Sequence, residues 1–302
     1  MSLLHAHAHE GGILQEVFVE VVWHALLDAL LLLPFLFLTY LLMEYIEHKA
    51  SDKLNGFMRG AGAFGPLLGG PLGAIPQCGF SAAASNLFAC RVISCGTLVA
   101  IFLSTSDEML PILISGGIKG ANIALILLYK CLVGIFVGFC IDIALRLMNK
   151  KRADINIDAI CDEEGCHCEK GILHSAVHHT VKISLFVFCV TLLINGLVHF
   201  VGVEALYAVL YDKPVLSHAV AAAVGLVPNC ASSVALTEFF AEGMITAGTM
   251  ISGLFSGAGV GLLVLFKVNK DIKENLFILL ALFVSGITFG LIFDLIFAGL
   301  LA

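Results

Sequence analysis

Charge is what this chain has least of. Asp, Glu, Lys and Arg make up 13% of its 302 residues, where a soluble domain carries about 25%. That scarcity, with 59% hydrophobic residues and a mean hydropathy of +1.00, excludes an ordinary soluble domain. Other absences narrow the class further. The start, "MSLLHAHAHEGG", lacks the basic segment and small-residue cleavage site of a signal peptide, so the first apolar run reads as a retained helix. No GxxxxGK[ST] phosphate loop and no DKTG phosphorylation segment occurs, so nothing points to nucleotide-driven work. No CxxC pair occurs, and Cys95, Cys131, Cys140 and Cys189 lie inside apolar segments, where thiols behave as small hydrophobes. Nothing points to a resident cofactor, a nucleic-acid partner or an enzyme.

Long apolar runs are present, such as 29–43 and 276–293, which approach the roughly 20 residues that cross a bilayer. The chain therefore reads as an all-α integral membrane protein, with the lipid bilayer as its first partner. Polar interruptions divide it into a His-rich tail (1–20), a membrane half (21–148), a polar Cys/His-containing loop (149–177) and a second membrane half (178–302). Each half holds five segments. In the first they cover about 21–46, 61–75, 79–90, 92–118 (interrupted by "STSDE") and 122–147. In the second they cover about 178–202, 214–227, 231–242, 245–266 and 275–301.

The halves superpose in sequence without a gap at a spacing of 152. Gly73, Pro76, Cys78, Ser81, Ala89, Ile93, Gly96, Thr97, Ser104 and Leu110 fall on Gly225, Pro228, Cys230, Ser233, Ala241, Ile245, Gly248, Thr249, Ser256 and Leu262. The short segments meet at Pro76-Gln77-Cys78 and Pro228-Asn229-Cys230, and either cross fully or are re-entrant. Either way each half crosses an odd number of times, so the second is inverted, the plan of many secondary transporters. The cations fit this. Lys49, Lys53, Arg59, Arg91, Arg146, Lys150, Lys151, Arg152, Lys170, Lys267, Lys270 and Lys273 fall on one side, against Lys119 and Lys213 on the other. The positive-inside rule makes the crowded side, with the central loop, cytoplasmic and both termini extracytoplasmic, in a multi-pass plasma-membrane protein.

The paired motif is the candidate site. A proline breaks each helix, which is tolerated only where protein or water covers the freed backbone. New helices then start near Ser81 and Ser233, whose hydroxyls suit free N–H groups. The positive end of each new helix would face Cys78 and Cys230 and favour the thiolate that binds soft ions. Gln77 and Asn229 add amides. Asp107, Glu108 and Glu238 (with Glu242 one turn on) are candidates for proton coupling. His24 and Asp28, which share a helix face, are candidate relay residues, with His178 and Lys182 at corresponding places. Asp107 and Glu238 could also ligate the ion. Asp142, Lys130 and Asp294 read as structural pairs. Cys161, Cys166, His167 and Cys168 in "CDEEGCHCEK" would suit a loose cytoplasmic collecting site rather than a zinc finger. His5, His7 and His9 would lie outside. The small-residue face of Gly62, Gly65, Gly69 and Gly73 would allow close helix packing, including a homo-oligomer.

The duplicated "PQCG"/"PNCAS" element, the His-x3-Asp pair of the first helix and the Cys/His loop resemble the ten-helix heavy-metal exporter family. Its members are described both as arsenic efflux proteins and as manganese transporters, and it is distantly similar to the organoarsenical permeases. The resemblance covers essentially the whole chain. It implies export of a toxic metal or metalloid by a secondary carrier, with Pro76, Gln77, Cys78, Pro228, Asn229 and Cys230 at the site. Paired thiols favour an arsenic-type, thiophilic substrate, moved by alternating access and coupled to protons. The alternative is Mn²⁺ held by oxygen ligands. An alternative of another class is a membrane thiol oxidoreductase that cycles a Cys78–Cys230 disulfide.

Overall fold

A computed structural model describes residues 64–74, 78–105, 109–148, 214–228 and 230–297, with scattered helical positions within 26–41 and 177–192; of Cys78, Pro214, Cys230 and Ala231 it describes the backbone alone. All regular structure among these residues is helical. The elements are α1 (Gly65–Gly73), α2 (Cys78–Ala89), α3 (Cys95–Ser104), α4 (Met109–Ser115), α5 (Gly120–Leu147), α6 (Pro214–Gly225), α7 (Cys230–Ala241), α8 (Ala247–Ser256), α9 (Val260–Val268) and α10 (Ile272–Phe297).

Among the described residues four stretches are long and apolar enough to cross a membrane: Cys95–Ser115, Gly120–Leu147, Ala247–Val268 and Ile272–Phe297. This is the make-up of a multi-pass membrane protein. The four differ in what surrounds them. Over their most apolar 18 residues, the interrupted stretches Cys95–Ser115 and Ala247–Val268 are 73% and 78% buried, against 39% and 33% for α5 and α10. Interrupted helices, whose free backbone groups lipid cannot satisfy, thus sit inside. The continuous helices form the outside. Leu128, Leu132 and Phe136 of α5, and Leu276, Leu280, Val284 and Leu295 of α10, are exposed there and suit lipid. At 28 residues, α5 is about 42 Å long, ample for a hydrocarbon core of about 30 Å.

Each buried helix is flanked in the same manner. α3 packs between α1 and α5, and α8 between α6 and α10. Leu98, Phe102 and Leu103 of α3 meet Met250, Ile251 and Phe255 of α8 in one continuous core. The short helices reach across the chain. α2 packs on α9, and α7 packs on α4. Tyr129 ties the outer helices together, donating to the Phe289 carbonyl at 2.7 Å, its ring 4.9 Å from that of Phe293. At the far end Arg91 grips both carboxylate oxygens of Glu274, at 2.8 and 2.7 Å.

Glycine makes the close approaches. A Cβ on Gly73 would lie 2.4 Å from the Ile101 carbonyl oxygen, and one on Gly225 would lie 2.0 Å from that of Gly253. Gly65 and Gly69 face Thr97 and Ile101 in the same seam. Gly65, Gly69 and Gly73 of the small-residue face expected for helix packing are therefore used within the chain, against α3, and Gly62 lies outside the described residues.

Two differences from the sequence reading stand out. The segment expected to run unbroken over 245–266 is interrupted at residues 257–259, where Gly259 takes a positive φ of 50° that a residue with a side chain adopts only under strain. Cys78 and Cys230 are themselves helical, so they lie within the short helices rather than ahead of them.

The seams make a testable statement. A Cβ on Gly96 would lie 2.1 Å from the Gly138 carbonyl oxygen and one on Gly248 would lie 2.4 Å from that of Gly290, whereas one on Gly120 meets nothing within 4 Å. Gly96→Ala and Gly248→Ala should each lower stability by about 1–3 kcal/mol, the usual cost of overpacking, while Gly120→Ala leaves it unchanged. Melting in detergent measures this, and equal melting of all three would refute the tight seams.

Candidate functional site

A short helix inside a membrane protein begins with N–H groups that have no intrahelical acceptor. For α3 and α8 these are met by one device. Ser94 and Thr246 occupy the N-cap positions in extended conformation, and their hydroxyls accept from the amides of Thr97 and Thr249, each at 3.1 Å. A carboxylate from the adjacent long helix completes each cap. Asp142 Oδ1 accepts from the Gly96 amide at 2.9 Å, and Asp142 Oδ2 from the Ser94 hydroxyl at 2.6 Å. Asp294 Oδ1 accepts from the Gly248 amide at 2.7 Å, and Asp294 Oδ2 from the Thr246 hydroxyl. Every partner in the second cap stands 152 residues after its counterpart in the first. A negative charge at a helix N-terminus also opposes the helix dipole favourably.

The caps differ in two members. His218, 2% exposed, places Nε2 3.3 Å from Asp294 Oδ2, and Ser217 Oγ lies 3.3 Å from Thr249 Oγ1. The corresponding positions in the first half are Gly65 and Pro66, the first two residues of α1, neither with a polar side chain. The sequence reading took Asp142 and Asp294 as structural pairs and passed over His218. Their role was visible in the shared spacing of Ser94, Gly96 and Asp142 with Thr246, Gly248 and Asp294.

The expected site residues fall as follows. Cys78 and Cys230 open α2 and α7. Ser81, the fourth residue of α2, is 1% exposed and lies against α9, where a Cβ on Gly261 would be 2.8 Å from its Cβ. Ser85, one turn on, donates to the Gly261 carbonyl at 2.7 Å. The first turns of α2 and α9 are therefore in contact. Ser233 is half-buried on α7, and its carbonyl accepts from Thr237 Oγ1 at 2.7 Å. Ser81 and Ser233 both lie inside helices rather than ahead of them. Pro228 sits half-buried in the bend before α7, and Glu238 and Glu242 are exposed. Pro76, Gln77, Asn229, Asp107, Glu108, His24, Asp28, Cys161, Cys166, His167 and Cys168 lie outside the described residues, as do the tail histidines His5, His7 and His9. Among the described residues no three His, Cys, Asp or Glu side chains group as metal ligands.

No protein-family model matches the chain, no curated protein is significantly similar to it, and no solved structure resembles it significantly.

The caps predict that Asp142→Asn costs about 1–3 kcal/mol, because the amide leaves one of its two donors unmatched, and that Asp294→Asn, at the more exposed cap, costs less. Thermal melting reads this directly. Unchanged melting of both variants would mean that these carboxylates do not hold α3 and α8.

Proposed function

We propose that the chain is a secondary-active transporter of the plasma membrane that exports a thiophilic metal or metalloid, arsenic-type, by alternating access. The observation that carries this reading is that Cys78 and Cys230 are the first described residues of α2 and α7, each two residues after a proline in the sequence. Thiols near the N-terminal ends of two broken helices would have the local field that favours thiolates. Gln77 and Asn229, which precede them, add polar ligands.

The architecture proposed with it is two inverted repeats of five segments each, joined by a cytoplasmic loop. Several features support that arrangement. α2 and α7 begin and end at the same spacing of 152, as do α3 and α8. The capping hydroxyl, the two capped amides and the carboxylate recur at that spacing, and the glycine seams of Gly73 and Gly225 recur on Ile101 and Gly253. In an inverted pair the two caps would lie at opposite membrane faces, Asp142 inside and Asp294 outside. Proton exchange through Asp107, Glu108 or Glu238 would then drive release, with His24 and Asp28 as relay residues. Cys161, Cys166, His167 and Cys168 would gather the ion on the cytoplasmic side. The resemblance to the heavy-metal exporters agrees with this reading.

The test uses purified protein in liposomes, loaded with arsenite, methylated arsenite, Mn²⁺ or Zn²⁺, with and without a pH gradient. The expected result is gradient-linked movement of the arsenic species, abolished by Cys78→Ser and by Cys230→Ser. Transport that survives in the double variant sinks the thiolate site. Transport of Mn²⁺ in that variant would instead favour oxygen ligands.

A further inference from the structure

Lys130 lies at the middle of α5 and is 0% exposed. A charge inside a membrane helix is costly and is kept where something uses it. Its Nζ donates to the Thr105 carbonyl at 2.5 Å and reaches the Leu254 carbonyl at 3.4 Å. It also lies 5.7 Å from the centroid of the Phe255 ring, within range of a cation–π attraction.

Both carbonyls belong to helix ends. Thr105 is the C-cap of α3. Leu254 lies in the last turn of α8, where the Ala258 amide donates to the Ser256 carbonyl rather than back to Leu254. The last carbonyls of a helix lack intrahelical donors and carry the negative end of its dipole. The two interrupted spans thus bring two negative helix ends and an aromatic face to one buried point. Carbonyls at such interruptions are the ligands that hold alkali cations in membrane proteins. Here an ammonium on a four-carbon tether fills the place. At the corresponding position of the second half stands Leu282, apolar and buried, so the arrangement is made once.

We propose that the ends of α3 and α8 form a monovalent-cation site that the chain occupies with its own Lys130. The site then takes no free Na⁺ or K⁺ in the native protein, and removing the tethered charge opens it to one. This stands apart from the transport reading, because it concerns the carbonyls of α3 and α8 and is read without any substrate.

The experiment is thermal melting of the purified full chain in detergent, in matched NaCl, KCl and choline chloride. The native protein should melt at the same temperature in all three. Lys130→Ala should melt several degrees lower in choline and recover part of that loss in NaCl or KCl, since choline is too large for the cradle. Lys130→Arg, which keeps the charge, should remain indifferent to the salt. Should Lys130→Ala be too unstable to purify in choline, recovery of monodisperse protein from Na⁺ or K⁺ buffers alone carries the same meaning. A Lys130→Ala protein equally destabilised, or equally unrecoverable, in all three salts overturns the proposal and leaves Lys130 a structural donor. A native protein stabilised by Na⁺ or K⁺ as much as the variant also overturns it.

Discussion

Asp142 and Asp294 hold the two innermost helices by their first turns, and the remaining structure is arranged around that hold. A ten-residue helix packed among other helices has amide donors at its start that find no acceptor in its own backbone. The carboxylate supplies two acceptor atoms at once, one for a backbone amide and one for the capping hydroxyl. Because each carboxylate comes from a long outer helix, the cap also fixes how α5 stands beside α3 and α10 beside α8. Close contact between these helices then demands glycine where backbones meet, which is why Gly96 faces Gly138 and Gly248 faces Gly290. Cap and seam are two aspects of one constraint: buried polar backbone must find its partners inside the protein.

The same constraint explains why the halves of the chain are interlocked rather than merely adjacent. α2 and α7 are too short to cross a membrane alone, and each rests on a helix from the other half. Lys130 bridges carbonyls from both interrupted spans, Tyr129 binds the backbone of α10, and Arg91 closes on Glu274. Arg91 adopts a positive φ of 61° where α2 ends, and Gly243 does the same at 74° where α7 ends. A non-glycine residue held in that conformation fits the bidentate ion pair that anchors its side chain.

Much of this was legible in the sequence, and the misses share a cause. Prolines 76 and 228 announced their interruptions because proline cannot continue a hydrogen-bonded helix. The interruption at 257–259 carries no proline and sits within an apolar run, so hydropathy passed over it. Asp142 and Asp294 read as structural pairs because a charge in an apolar segment suggests a partner, and Asp294 has one in His218. Their further partners are amides and hydroxyls, 46 and 48 residues away, which only tertiary structure brings near. The spacing of 152 was legible, yet it aligned residues without saying what their side chains hold. At Cys78 and Cys230 the backbone is already helical, where the apolar pattern opens the segments one residue later.

The crossing of α2 onto α9 also bears on how the protein is made. Ser85 and Gly261 are 176 residues apart, so α2 leaves the ribosome long before the surface it rests on exists. During that interval the N-terminal half is an unfinished membrane protein, with a short helix and its polar flank still lacking their neighbour. Packing of α2 is therefore complete only once α9, in the last third of the chain, has been made.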